Sequence, residues 1–208
     1  MCTILVLLLV LFHALRESSC FGRSASGAQR DIFVGAPIDG VWLIGGICFL
    51  VLELLVAWHS LSQPELDLPH AIGALVGASM FVLGTDLRCR AIATLSEAFA
   101  RPPFAGPPPS LVTSGVFSVS RHPSELGLLL MSLGLVLICG DLEPLLFLVL
   151  CLIPLSLLRT YREERWLRSV HGALHAAYCS TVPLILPGWP TYRNVLKNVP
   201  VKGWEGRT

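Results

Sequence analysis

"ELGLLLMSLGLVLICGDLEPLLFLVLCLIPLSLL", residues 125–158, is a pair of apolar runs parted by Gly140 and Asp141, with Pro144 just behind them. Gly, Asp and Pro make turns rather than continue helices, so the stretch predicts a tight helical hairpin that enters a bilayer from one side and returns to it. Three more apolar runs come earlier, at 3–15, 41–58 and 71–87. Several of the five fall short of the roughly 20 residues a spanning helix needs, so their ends must tilt or snorkel. Of 208 residues, 53% are apolar and only 14% charged, with a mean hydropathy of +0.69, outside the range of soluble domains. The fold class expected is all-α: a polytopic integral membrane helical bundle of four to five transmembrane helices, ending in a C-terminal amphipathic helix.

Charge sets the expected topology. If the chain alternates sides, all 15 lysines and arginines fall on one face, while the opposite loops, "HSLSQPELDLPH" (59–70) and "GDLEP" (140–144), carry none. Positive residues collect in cytoplasmic loops, which assigns 16–40, 88–123 and 159–208 to the cytoplasm. A net charge of +1 gives no basic field for nucleic acid, so that partner class is excluded. The seven cysteines form no CxxC pair and are read as thiols, four of them in or beside apolar runs; this spacing offers no zinc cluster, and no metal is expected. Residues 1–30 are a separate hydrophobic segment. Its apolar core has signal-peptide length, but the arginines follow it rather than precede it, which favours an uncleaved first helix over a cleaved signal or an organelle leader. Residues 31–208 form the main domain.

Two polar segments lie on the basic face. Five prolines between Arg101 and Gly115 forbid a regular helix there. Pro123 suits the first position of the next helix and holds His122 out of helical geometry. The free N–H groups of that helix start, beside Arg121, make an anion site. Further on, "RTYREERWLRSVHGALHAAYCSTVPLILP" (159–187) continues from the last span. Stepped at 100° per residue as one helix, Arg168, His171, His175 and Tyr178 fall within roughly 40° of Glu164 in a single polar stripe. His171 and His175 at i and i+4 lack the Glu of HExxH, since residue 172 is Gly, and no serine sits in a GxSxG turn.

Together the two segments resemble the membrane-embedded, S-adenosylmethionine-dependent methyltransferases that include isoprenylcysteine carboxyl methyltransferases and phospholipid N-methyltransferases. The pattern R-H-P-x-Y-x-G is matched by Arg121, His122, Pro123 and Gly127, and E-E-x-x-L-x-x-x-F-G-x-x-Y-x-x-Y by Glu163, Glu164, Leu167, Gly172 and Tyr178. Glu125, His171 and His175 stand where that pattern has aromatic residues. The resemblance covers residues 83–187 as the cofactor region. It implies S-adenosylmethionine as cofactor, a lipidic or prenylated acceptor reached from the membrane lipids, and an endomembrane location such as the endoplasmic reticulum with the cofactor site cytoplasmic.

By the same resemblance, residues 121–127 and the Glu163/Glu164 helix enclose the cofactor. Arg121, His122 and the helix start would take its carboxylate, Glu164 its amino or ribose hydroxyl groups, and His175 and Tyr178 would close the pocket. The acceptor implied first is a C-terminal S-isoprenylcysteine carboxylate, oriented by Arg159 or Arg162. An amine acceptor such as phosphatidylethanolamine would instead need a base, His171 or Glu125, and a small thiol is a further alternative. A non-catalytic protein that keeps the fold, and a sterol-type NADPH reductase, are the competing classes. No G-x-G-x-x-G supports the second.

Overall fold

The computed structural model describes residues 2–24, 40–62, 68–99 and 111–186. Residues 25–39, residues 63–67 of the 59–70 loop, the Pro-rich stretch before 111 and the tail beyond 186 lie outside them. Among the described residues there are helices and no strands: α1 (Cys2–Ser24), α2 (Gly40–Ser62), α3 (Leu68–Phe99), a short 3₁₀ turn (Gly115–Ser118), α4 (Pro123–Cys139), α5 (Leu142–His171) and α6 (Ala173–Thr181). Segments Ile44–Leu61 and Leu68–Leu95 and all of α5 are long and apolar enough to cross a membrane, and the 17-residue apolar α4 completes the hairpin. Leu50, Leu54, Leu75, Leu83 and Leu150 face outward, where lipid rather than water is the compatible solvent.

The hairpin closes as its sequence demands. Gly140 caps α4 at φ +73°, and its N–H reaches the carbonyl of Val136 at 2.8 Å. A residue with a Cβ is disfavoured in that left-handed cap, and Gly is not. In α5 the residues Leu148–Leu152 widen to a π turn just ahead of Pro154. Proline has no N–H and its ring crowds the carbonyl four residues back, which a wider turn relieves.

α3 and α4 pack backbone to backbone. Gly73, Gly77 and Gly84 on α3 meet Leu137, Gly134 and Gly127 on α4, the small-residue contact that lets helices approach where no hydrophobic force drives them together. α1 and α2 pack on this pair. Val6 and Leu9 join Phe49, Leu52, Val56, Phe81, Met131 and Leu135 in one core.

Polar groups pair at the two ends of the bundle. At one end Arg16 meets Asp86 at 3.1 Å, and Arg88 meets Glu17 at 2.5 Å and donates to Ser124 Oγ at 2.9 Å. At the other, His59 meets Asp141 and Glu143. The described arginines gather at the first end and the acidic hairpin turn sits at the second, the segregation the loop charges predict.

Candidate functional site

The site is built where α4 begins. His122 is the N-cap, its backbone outside helical geometry at φ −124°, ψ 62°, and Pro123 is the first helical residue, where a proline's missing N–H costs nothing. The two backbone N–H groups before the helix are held by a returning strap: Arg121 N–H donates to Pro183 O at 3.0 Å and His122 N–H to Leu184 O at 3.1 Å. Ser120 Oγ adds a bond to Ile185 O at 2.8 Å, and the Tyr178 hydroxyl donates to Phe117 O at 2.6 Å. Residues 117–122 are thereby tied to α6 and the chain that follows it.

Arg121, His122, Glu164 and His175 then converge. Arg121 Nη1 bonds Glu164 Oε2, His122 Nε2 lies 2.9 Å from Glu164 Oε1, and His175 Nε2 lies 3.5 Å from Glu164 Oε2. Glu163 reaches the second ring nitrogen of His122 at 3.6 Å. His175 is fully buried and His122 nearly so. Cys179, which sequence reasoning missed, sits against Arg121, Glu164 and His175. Only its place one turn beyond His175 could have pointed to it. Burial raises the Cys179 thiol and the Tyr178 hydroxyl above their ordinary pKa values, so both remain protonated donors near neutral pH.

Burial by itself disfavours the His122 imidazolium, but hydrogen bonds and charge from Glu163 and Glu164 outweigh it and hold His122 up at about 9. The folded value lies above the unfolded one, so the stabilisation is complete below about pH 6.5 and is lost as pH rises through about 9. Its ceiling is on the order of 3 kcal/mol. Thermal melts of the detergent-solubilised protein should therefore weaken from pH 7 to pH 10, and His122→Gln should flatten that slope. An unchanged slope in the variant would remove His122 as its source.

The uniform stripe expected along 159–178 is corrected by Gly172. At φ +50°, ψ −117° it occupies a region that L side chains avoid, and there the helix breaks into α5 and α6. The break turns His175 and Tyr178 inward and leaves His171 half-buried outside the cluster. Trp166 and Leu174, on the apolar side, point outward.

Glu125 and Arg159 are each other's partners rather than open groups. Arg159 Nη1 lies 2.7 Å from Glu125 Oε1, and Ser156 Oγ donates to Glu125 Oε2 at 2.6 Å, all of it buried. Arg162 is exposed. Gly127 faces α3, where a Cβ would stand 2.6 Å from Gly84 O, so its contacts are with a helix.

Behind the α4 start lies a cavity of about 250 Å³, lined by His13 and Glu17 of α1, Glu53 of α2, Arg88, Leu128 and Arg159 among others. Glu53 is 7% exposed. Its Oε1 and the Nδ1 of His13 are buried without a hydrogen-bond partner, an arrangement that costs stability unless a ligand or water supplies one. Gly45 and Gly46 line the same cavity, and a Cβ on Gly46 would meet nothing within 4 Å.

A family model for phospholipid methyltransferases matches residues 72–173, which contain α4, α5 and the Arg121–Glu164 pair. The chain is also 32% identical, over 114 residues, to protein-S-isoprenylcysteine O-methyltransferase B of Arabidopsis thaliana, a match covering 53% of this chain and 57% of that protein's length. No solved structure matches it significantly. Residues 72–173, just under half of the chain, are thus similar to the phospholipid methyltransferase family.

Proposed function

We propose that the protein is a membrane methyltransferase that draws a methyl group from S-adenosylmethionine and places it on a lipidic acceptor, an S-isoprenylcysteine carboxylate first of all. The observation that carries this is the buried Arg121–His122–Glu164–His175 cluster at the α4 start, with a polar cavity behind it. Two cations beside one carboxylate fit a zwitterionic amino acid. Its carboxylate suits Arg121, His122 and the α4 N-terminus, and its ammonium suits Glu164. His175 and Tyr178 close that side, Pro123 fixes the helix start, and Glu163 steadies His122. S-adenosylmethionine, when bound, supplies a methyl group activated by a positive sulfonium. The chain's own work is alignment and exclusion of water, which matter more for such a transfer than a strong acid or base.

The cavity adjoins the first turn of α4 through Arg88, which bonds Ser124, and Arg159, which holds Glu125. Its volume suits a headgroup rather than a whole lipid, and the glycine side of α2 offers lateral entry from the bilayer. In this reading the basic end is cytoplasmic, the membrane is an endomembrane, and the exposed Arg162 attracts an anionic acceptor to that face.

The unpartnered Glu53 and His13 atoms favour a second reading, an amine acceptor such as phosphatidylethanolamine, whose N–H groups would satisfy both. Detergent-purified protein given methyl-labelled S-adenosylmethionine should transfer label to a short prenylcysteine as a base-labile ester. Label retained on phosphatidylethanolamine, and lost selectively in Glu53→Gln, would move the assignment to the amine. Transfer to neither acceptor by protein that still binds the cofactor would overturn the lipidic-acceptor proposal.

A further inference from the structure

The end of the bundle opposite the methyltransferase cluster gathers a second set of polar side chains. His59 comes from the last turn of α2, Cys139 is the final residue of α4, and Asp141 is the N-cap of α5. One ligand atom from each lies within 4.8 Å of the others. His59 Nδ1 is 3.1 Å from Asp141 Oδ2, and Cys139 Sγ is 3.2 Å from the same oxygen. The opposite ring nitrogen, His59 Nε2, is 2.9 Å from Glu143. His70, at the start of α3, stands beside the turn, with its Nε2 3.5 Å from the Cβ position of Gly140.

We propose that this cluster is a binding site for a divalent, borderline-soft cation of the zinc type, with His59 Nδ1, Cys139 Sγ and an Asp141 oxygen as ligands and His70 or a water in the fourth position. Several features converge on that class. The donor set mixes nitrogen, sulfur and oxygen, which Zn²⁺ accepts and the hard cations do not. Bonds of about 2.0–2.3 Å in a tetrahedron put ligand atoms roughly 3.3–3.8 Å apart, so the two contacts of Asp141, at 3.1 and 3.2 Å, need only a small outward adjustment. Glu143 on the far nitrogen of His59 is the carboxylate–histidine arrangement that fixes the tautomer and frees Nδ1 to ligate.

The ligands stand on helix ends held by the core, and Cys139 is 6% exposed. The His59 and Asp141 side chains, 23% and 26% exposed, leave a path from solvent. Binding one cation displaces the Cys139 thiol proton, and any proton on His59 Nδ1, to solvent. The cation would pin the end of α2 to the α4–α5 turn.

Glu164, His175 and Cys179 form a similar triplet at the other end. There the Arg121 guanidinium bonds both Glu164 and Cys179 and repels a second cation.

The test uses the full chain in detergent, stripped with a chelator and titrated with Co²⁺ and then Zn²⁺. One equivalent of Co²⁺ should give a thiolate-to-cobalt charge-transfer band that Zn²⁺ displaces, and Zn²⁺ should raise the melting temperature. Cys139→Ser and His59→Ala should lose the band, Glu143→Gln should weaken binding by about 10–100-fold, and Cys179→Ser should bind as wild type does. Absence of the band in wild-type protein with an intact melting transition would overturn the proposal. So would a band that survives Cys139→Ser, or one that vanishes in Cys179→Ser.

Discussion

Glu164→Gln is expected to reduce S-adenosylmethionine binding by at least about 100-fold and to bring methyl transfer to background. The carboxylate is shared by Arg121, His122 and His175, and the Arg121 and His122 side chains are only 14% and 4% exposed. In the complex Glu164 would pair with the cofactor's buried ammonium, and truncating one partner of such a pair costs about 3–5 kcal/mol of binding, because the surviving charge stays out of water. At about 1.4 kcal/mol per decade, that spans two to three and a half decades. His122 would then lose part of what holds its proton, so the amide should also draw its pKa down from about 9. Glu163→Gln is the control. Glu163 is 41% exposed and 3.6 Å from the ring, and its loss should cost no more than about tenfold. Calorimetric titration and single-turnover transfer read the two effects separately. Wild-type binding and turnover in Glu164→Gln would mean the cluster holds the fold rather than the cofactor.

Much of this arrangement is written locally in the sequence. Gly140–Asp141 announces the hairpin and Pro123 the start of α4, because turn and helix-start chemistry act within a few residues of themselves. The segregation of charge to two ends is legible for a similar reason, since the bilayer acts on each loop independently. The meeting of Arg121 with Glu164 follows from no local rule, and there the family pattern supplied what periodicity could not.

What escaped the sequence is long-range or depends on one backbone angle. Gly172 reads as a tolerated helix glycine, yet its positive φ decides that His175 turns inward and His171 does not. Glu125 and Arg159, 34 positions apart, read as two separate candidates for acceptor chemistry and fold into one ion pair. The absence of a CxxC pair argues against a local zinc motif, but it does not reach a triplet assembled from residues 59, 139 and 141, where α2 meets the hairpin turn. Glu53 and His13 come to line a single cavity through packing of α1 on α2.

The contact between α3 and α4 yields the second large effect, and a paired substitution isolates its cause. Gly127→Ala should prevent accumulation of folded protein or lower its melting temperature steeply, while Gly46→Ala, the same change on α2, should leave the melt where it is or raise it slightly. A Cβ on Gly127 would stand 2.6 Å from Gly84 O and 3.0 Å from the backbone nitrogen of Arg88. Those are main-chain atoms of a packed helix and have no rotamer by which to yield, so the helices must part. Overpacking where side chains can adjust already costs about 1–3 kcal/mol, and separation here would also pull Arg88 from Ser124 and disturb the start of α4 on which Arg121 and His122 depend. Gly46 has nothing within 4 Å of its Cβ position, and alanine there gains the modest advantage that any helix interior gives it over glycine. The physical claim is that glycine is required by neighbouring backbone rather than by its own torsions, since α4 at residue 127 is regular helix. Equal melts for the two variants would show that α3 and α4 can part without loss, and the site geometry would then need another support.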